Sequence, residues 1–220
     1  MTPGKRLMDV LVAGALLVLL FPVMLLGALL LLAREGRPIL YVAERIGQGG
    51  RPFPLYKFRT MPMGADRVGG VTGGDKAARL SPLHRLVRRT RADELPQLWN
   101  VIRGDMSLVG PRPPLRRYVE AFPGLYGAVL RSRPGITGLA SLRLAAWEER
   151  LLSRCRTPEE TEAAYRRLCV PRKARLDLLW QRNRTLCWDA LLVAETALRP
   201  FRRPSPARRR PAVANPLVNR

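Results

Sequence analysis

From Val10 to Ala33 the chain runs for 24 residues without a charged or strongly polar side chain. As one straight helix this run would be ~36 Å long, more than the ~30 Å hydrocarbon core of a bilayer. A core helix of a soluble domain rarely stays apolar all round for six turns, so the segment reads as one that contacts lipid. It is too long for the apolar region of a signal peptide, and no small-x-small cleavage site follows it. Pro22 stands at its centre. A proline there cannot donate to the Val18 carbonyl, and its ring presses on the preceding turn, so a bend is expected. Each arm is then about 12 residues or ~18 Å, enough to enter one leaflet and not to cross. A spanning helix kinked at proline is the competing reading. Lys5 and Arg6 precede the segment and Arg34 and Arg37 follow it. Positive flanks stay inside, which puts the globular part on the cytoplasmic face.

Beyond this segment the pattern changes. Ile39–Ile46 and Pro52–Phe58 are short β-rich runs around Gly47-Gln48-Gly49-Gly50, which predicts a hairpin. Gly64–Asp75 holds five glycines and no apolar period, and reads as a loop. Leu83–Arg89 reads as a helix. Asp93-Glu94-Leu95-Pro96 reads as the start of another, with Asp93 as N-cap and the helix running to about Ile102. Met106–Val109 predicts a short strand, Leu115–Leu130 one helix, and Pro134–Gly138 a turn. Thr157-Pro158-Glu159-Glu160 is a capping box that opens a helix. The apolar stretch from about Asn183 to Leu198 is either a membrane-interface helix or an amphipathic core helix. From Arg199 on there are seven arginines, five prolines and no acidic residue, a tail that cannot bury a core.

Charge narrows the partners. Lys and Arg number 39 against 17 acidic residues, a formal net charge of +22. That implies an anionic partner: nucleic acid, phosphorylated small molecules or an anionic membrane leaflet. A soluble nucleic-acid binder has no use for the apolar segment, which demotes that class. The three cysteines form no CxxC pair and there is one histidine, so a zinc site or a disulfide framework is not expected.

Three features then point to phosphate. Lys57 and Arg59 alternate with Tyr56 and Phe58 on a predicted strand, which puts both cations on one face. Arg112 sits between Pro111 and Pro113, a rigid mount for a planar fork that grips phosphate bidentately. The backbone amides of Pro134-Gly135-Ile136-Thr137-Gly138 form a candidate anion cradle. Amid these cations, with Arg88, Arg89 and Arg91 close in sequence, stand Asp93 and Glu94. Alone the pair would be a helix cap with a first-turn acid. In this surround, helix-start amides and nearby cations are expected to stabilise the ionised carboxylates.

The segments KFRTM (Lys57–Met61), DELPQLWNVIRGDMSLVGPRP (Asp93–Pro113) and RPGITGLA (Arg133–Ala140) resemble the bacterial sugar transferase family, the monotopic phosphoglycosyl transferases. The resemblance runs from Lys5-Arg6-x-x-Asp9 through Arg45-x-Gly47-x-x-Gly50 to about Thr196. It implies a helix-rich α+β fold. In that fold a proline-broken re-entrant membrane helix, with its break at Pro22, precedes a small catalytic domain with a short β-hairpin and interfacial amphipathic helices. The expected division is 1–36 for the membrane anchor, 37–200 for the cytoplasmic catalytic domain and 201–220 for the basic tail. The resemblance further implies a UDP-sugar and polyprenyl phosphate as substrates, Mg²⁺ as cofactor, and a location at the bacterial inner membrane. The catalytic dyad would be Asp93 and Glu94, with Asp93 also at the metal, and Lys57, Arg59, Arg88, Arg112 and Thr137 at the substrate phosphates. In the implied reaction Asp93 attacks the diphosphate, releases UMP, and passes the sugar phosphate to the lipid phosphate. Membrane lipid is a further partner, nucleic acid is not expected, and a homo-oligomer is left open. The chain departs from the family's usual residues at Ala43 or Glu44, at Thr90-Arg91-Ala92, at Ser141, and at Phe21 before Pro22. These departures bear on sugar preference and leave the dyad intact. The alternative from another class is a membrane-tethered nucleic-acid or polyanion binder, which would explain the charge and leave Asp93-Glu94 without a purpose.

Overall fold

The computed structural model of the chain describes residues 2–60 and 82–199; the glycine-rich stretch 64–75 and the basic tail after Arg199 lie outside them. Helix α1 (Pro3–Glu35) begins at Thr2, whose hydroxyl accepts the Lys5 amide at 3.4 Å, and stops at Gly36, held at φ 68°. The helix continues without interruption through Pro22, so the missing amide there breaks one rung of the ladder and does not end the helix. Its middle is bare: Val18 is 75% and Leu19 73% exposed. Its first turns are not. Ala13 is fully buried in the main core, with Val12, Leu16 and Leu17 packed around it. Arg6 donates to the carbonyls of Val101 at 2.5 Å and Ile102 at 2.8 Å.

Strands β1 (Leu40–Ile46) and β2 (Pro52–Phe58) form the predicted antiparallel hairpin, with Leu40 opposite Phe58 and Ile46 opposite Pro52. The turn needs glycine: Gly49 and Gly50 stand at φ 68° and 78°. Helix α2 (Pro82–Arg89) follows. The next helix differs from its predicted start. Asp93 and Glu94 lie in a 3₁₀ turn (Ala92–Glu94), and α3 proper runs Gln97–Arg103 with Pro96, not Asp93, at its N-cap. Pro96 has no amide to donate, so it is tolerated at this boundary, where an amide has no intrahelical partner, and not farther along the helix. Asn100, fully buried on α3, donates to the Pro54 carbonyl at 2.7 Å and accepts the Tyr56 amide at 3.2 Å. This clamp fixes β2 against α3.

Strand β3 (Ser107–Val109) has a partner that the sequence did not reveal, a parallel strand β4 (Gly135–Thr137). The expected turn at 134–138 is therefore mostly strand. The expected single helix 115–130 is two, α4 (Arg116–Ala121) and α5 (Pro123–Val129), because Pro123 cannot continue the first and starts the second. Then come α6 (Leu139–Leu152) and α7 (Pro158–Ala164) with its capping box: Thr157 accepts the Glu160 amide at 3.1 Å. A π turn (Tyr165–Cys169) joins α7 to α8 (Val170–Asn183), and α9 (Leu186–Leu198) closes the described chain.

The main core joins Ala13 of α1, Phe53 and Leu55 of β2, Leu98 and Val101 of α3, Leu108 and Val109 of β3, Leu142 of α6, Trp180 of α8 and Leu192 of α9. A smaller core holds Tyr118, Leu152, Ala164, Tyr165, Cys169 and Val170. Helix α9 thus packs on the main core with one face, while Leu191 on another is 67% exposed. The result is a helix-rich α+β molecule with two small two-stranded sheets.

Candidate active site

Glu94 is the centre of the site. Its Oε1 accepts from Arg112 Nη2 at 3.1 Å and from Lys57 Nζ at 3.4 Å, and its Oε2 pairs with Arg91 Nη2 at 3.1 Å. One carboxylate thus gathers three cations from β2, from the residue before the 3₁₀ turn, and from the loop after β3. Burial alone would raise the Glu94 pKa. Arg112, Lys57 and Arg91 outweigh burial and hold it down at about 2. Glu94 is a permanent anion, and charge-assisted contacts of this kind are the strong ones.

Asp93 is different. It is buried like Glu94, yet no ion pair or side-chain hydrogen bond reaches it from the described residues. Burial and the adjacent Glu94 charge push its pKa up, while Lys57, Arg88 and Arg112 pull the other way without prevailing. The cations favour its ionised form as expected, but burial and Glu94 outweigh them, and the expected helix start is absent. Asp93 heads no regular helix, and Glu94 has claimed the cations. Lys57 feels the same crowding: burial and the Arg112 charge lower it to about 8.

Backbone geometry holds these groups in register. Arg91 adopts the left-handed conformation at φ 58°, the one non-glycine residue to do so among those described. Such a conformation costs on the order of 1 kcal/mol and reverses the chain between α2 and the dyad. Arg112 is mounted by the parallel strands: Ser107 donates to the Pro134 carbonyl at 2.8 Å, Gly110 to Thr137 at 2.9 Å, and Gly135 to Pro111 at 2.9 Å. Three glycines make that approach feasible. A Cβ on Gly110 would collide with the Arg133 carbonyl, and one on Gly135 or Gly138 with the backbone of Gly110. So the Pro134–Gly138 motif supplies close backbone packing, and its Gly135 amide is already bonded inside the strand pair.

The other predicted residues fall in several places. Arg88 lies near enough for its charge to act on Asp93, with its side chain exposed. Arg59, one residue past β2, donates to the Gly36 carbonyl at 3.2 Å, so it serves the end of α1 while Lys57 serves Glu94. Thr137 is buried, with its hydroxyl 2.6 Å from that of Thr196. Thr196 gives its own proton to the Leu192 carbonyl at 2.7 Å, which leaves Thr137 as the donor in that pair. The structure brings together Asp93, Glu94, Lys57, Arg88 and Arg112, and adds Arg91 as a direct partner of Glu94. Asn100 went unnoticed in the sequence, since a lone mid-helix asparagine carries no signal until the strand it clamps is known.

The fold and this dyad define a class, and comparison with known proteins names it. The model of the bacterial sugar transferase family matches residues 2–203, and the chain belongs to that family. It is 38% identical over 143 residues to the UDP-N-acetylgalactosamine-undecaprenyl-phosphate N-acetylgalactosaminephosphotransferase of Aeromonas hydrophila, covering 63% of this chain and 33% of that one. It is 41% identical over 145 residues to the UDP-glucose:undecaprenyl-phosphate glucose-1-phosphate transferase of Caulobacter vibrioides, covering 63% and 53%. A putative undecaprenyl-phosphate N-acetylgalactosaminyl 1-phosphate transferase of Bacillus subtilis is 41% identical over 118 residues, covering 54% and 66%. The aligned part is thus a third to two thirds of each of these relatives.

Proposed function

We propose that the chain transfers a sugar 1-phosphate from a UDP-sugar to polyprenyl phosphate, with release of UMP, at the cytoplasmic face of the bacterial inner membrane. The observation that carries this reading is the buried Asp93, unpaired among the described residues, next to a carboxylate that holds three cations. A nucleophile is strongest when its charge is poorly stabilised, and burial does that to Asp93. Glu94 keeps Lys57, Arg112 and Arg91 clustered beside it, where they can receive the diphosphate. Asp93 attacks the phosphorus that carries the sugar, and the bond to the bridging oxygen breaks, so UMP departs with that electron pair. The acyl phosphate left on Asp93 is then attacked by the lipid phosphate oxygen, which frees the carboxylate. Splitting the transfer lets a water-soluble donor leave before a membrane-bound acceptor reacts at the same site.

Among the described residues no group of three or more His, Cys, Asp or Glu side chains could hold a metal. Mg²⁺ fits this set all the same, because it commonly binds through one or two carboxylates plus substrate phosphate and water. Asp93, which has no ion-pair partner among the described residues, would hold it, and the ion would offset the diphosphate charge.

The non-spanning reading of α1 draws support from its two ends. Lys5, Arg6 and Asp9 are tied into the catalytic domain, and the other end enters β1 directly, with Arg59 bonded to Gly36. A helix fixed at both ends to one small domain keeps both on one side of the bilayer, leaving its bare middle to dip into lipid.

The test is single turnover. Enzyme mixed with sugar-labelled UDP-sugar and Mg²⁺, without lipid acceptor, should release near-stoichiometric UMP and keep the label on the peptide containing Asp93. UMP that appears only after polyprenyl phosphate is added, with no labelled protein, would establish direct transfer instead.

A further inference from the structure

Two of the site's cations border a cavity of about 90 Å³ that α8 also lines. Lys57 and Arg112 belong to its wall, and so does Asp177. Asp177 is 9% exposed, and none of the described residues gives its carboxylate a hydrogen bond or an ion pair. The obvious partner is engaged elsewhere. Lys173, one turn earlier on α8, pairs with Glu148 at 2.6 Å and donates to the Tyr165 hydroxyl at 3.3 Å. Burial consequently pushes the Asp177 pKa up to about 7, against a weaker opposing pull from Lys173.

A buried carboxylate without a partner is expensive unless a ligand completes it. Its surroundings point to what that ligand offers. The wall is cationic through Lys57 and Arg112, which suits phosphate. It also carries the hydroxyls of Tyr126, Tyr165 and Ser141. Tyr165 is delivered there by the π turn Tyr165–Cys169, a local distortion that often marks functional sites. A cavity wall that combines phosphate-binding cations with a hydrogen-bond acceptor free of internal partners among the described residues suits a polyhydroxylated ring attached to a phosphate.

We propose that Asp177 is a specificity-determining residue, its carboxylate binding a ring hydroxyl of the nucleotide-sugar whose diphosphate lies on Lys57 and Arg112. This rests on the transferase reading above. Both rings of the donor, the transferred sugar and the ribose, carry hydroxyls of this kind. They are told apart by which substrates lose.

The experiment compares the full-length chain with Asp177→Asn, which keeps the shape, and Asp177→Ala. UMP release is measured with UDP-glucose, UDP-galactose, UDP-N-acetylglucosamine and UDP-N-acetylgalactosamine, alongside product inhibition by UMP and a thermal melt. A site that bonds a substrate hydroxyl discriminates by that hydroxyl. The expected result is a loss in kcat/KM of about tenfold or more. If the contact is to the transferred sugar, the loss differs among the four donors and UMP inhibition is unchanged. If it is to the ribose, the loss is uniform and UMP inhibition weakens by the same factor. Values within twofold of the parent for every donor and for UMP overturn the proposal. So does a uniform fall in kcat with KM and UMP inhibition unmoved and the melt lowered, which marks a structural role. Should the parent chain turn over none of the four, activity with these donors does not decide between the two readings. Asp177 is then judged by binding alone: a UDP-sugar that raises the parent's melting temperature must raise that of Asp177→Ala less, and equal shifts reject the contact.

Discussion

Among the described residues two clusters of buried charge, one at the start of α1 and one at Glu94, are built to opposite rules. At the start of α1, Lys5 Nζ meets Asp189 at 2.6 Å and Asp9 at 3.5 Å. Asp9 also accepts from Ser107 Oγ at 2.7 Å and the Leu108 amide at 3.3 Å, and Asp189 accepts from Trp180 Nε1 at 2.8 Å. Every carboxylate oxygen there has a hydrogen-bond or ion-pair partner, Asp189 Oδ2 through the Lys5 ion pair alone, and Asp9, Asp189 and Lys5 are nearly inaccessible. At the dyad, three cations share one oxygen pair of Glu94, Asp93 has none of them, and a cavity adjoins. The first cluster is complete in itself. The second has donors to spare and a carboxylate left over, which is the condition of a site awaiting a phosphorylated ligand. Buried charge alone therefore says little about function; whether its partners are all internal says much more.

The comparison is broken most directly by exchanging the roles. Asp93→Asn removes the nucleophile and should cost on the order of 10⁴-fold or more in turnover. Because the Asp93 charge is poorly compensated, the same change should leave the melting temperature unchanged or raised. A melt that drops steeply would mean that Asp93 is a structural acid like Asp9. Lys5→Met should do the reverse. Two buried carboxylates lose their shared cation, at a cost of about 3–5 kcal/mol in stability, a large part of what a single domain has. Turnover per folded molecule should stay close to the parent, as measured by activity against folded fraction in a denaturant series. Adding Asp189→Asn should recover part of the lost stability. Normal stability in Lys5→Met would deny the cluster its anchoring role.

How much of this was legible beforehand follows from the range of the interactions. The hairpin, the capping box at Thr157 and the apolar α1 are local patterns, and each appears where its residues indicated. Glu94 with Arg91 is also local, three residues apart. The contacts that give Asp93 and Glu94 different characters are not. Lys57 reaches Glu94 across 37 residues, and Arg112 across 18. The β3–β4 pairing that mounts Arg112 was hidden because three-residue strands carry almost no periodic signal. Its glycines pointed to an anion cradle, and the structure adds that they let two backbones touch. Asp177 and the cavity stayed silent for the same reason, since an isolated aspartate on a helix announces nothing until its would-be partner is seen bound to Glu148.

Lys57 offers the finest test of the open cluster, through pH. Its pKa is lowered from 10.5 to about 8, chiefly by burial and then by Arg112, against the pull of Glu94 and Asp93. Below about pH 8 it is charged in the folded and the unfolded chain alike, and its burial is a standing cost to the fold. Between about 8 and 10.5 the folded chain holds fewer protons than the unfolded one, so this group's contribution to stability improves as pH rises. Activity should move the other way. If the charged ammonium receives the diphosphate, kcat/KM, which reports the free enzyme, should fall by roughly three- to tenfold between pH 7.5 and 9. The effect on kcat should be smaller, because bound phosphate restores the proton. Lys57→Arg keeps its charge throughout this range and should flatten the limb, even though its different shape lowers the plateau. A profile of kcat/KM that is level to pH 9 in the parent, or that falls identically in Lys57→Arg, would show that Lys57 serves only to hold Glu94. The dyad would then resemble the closed cluster at Lys5 more than an open site.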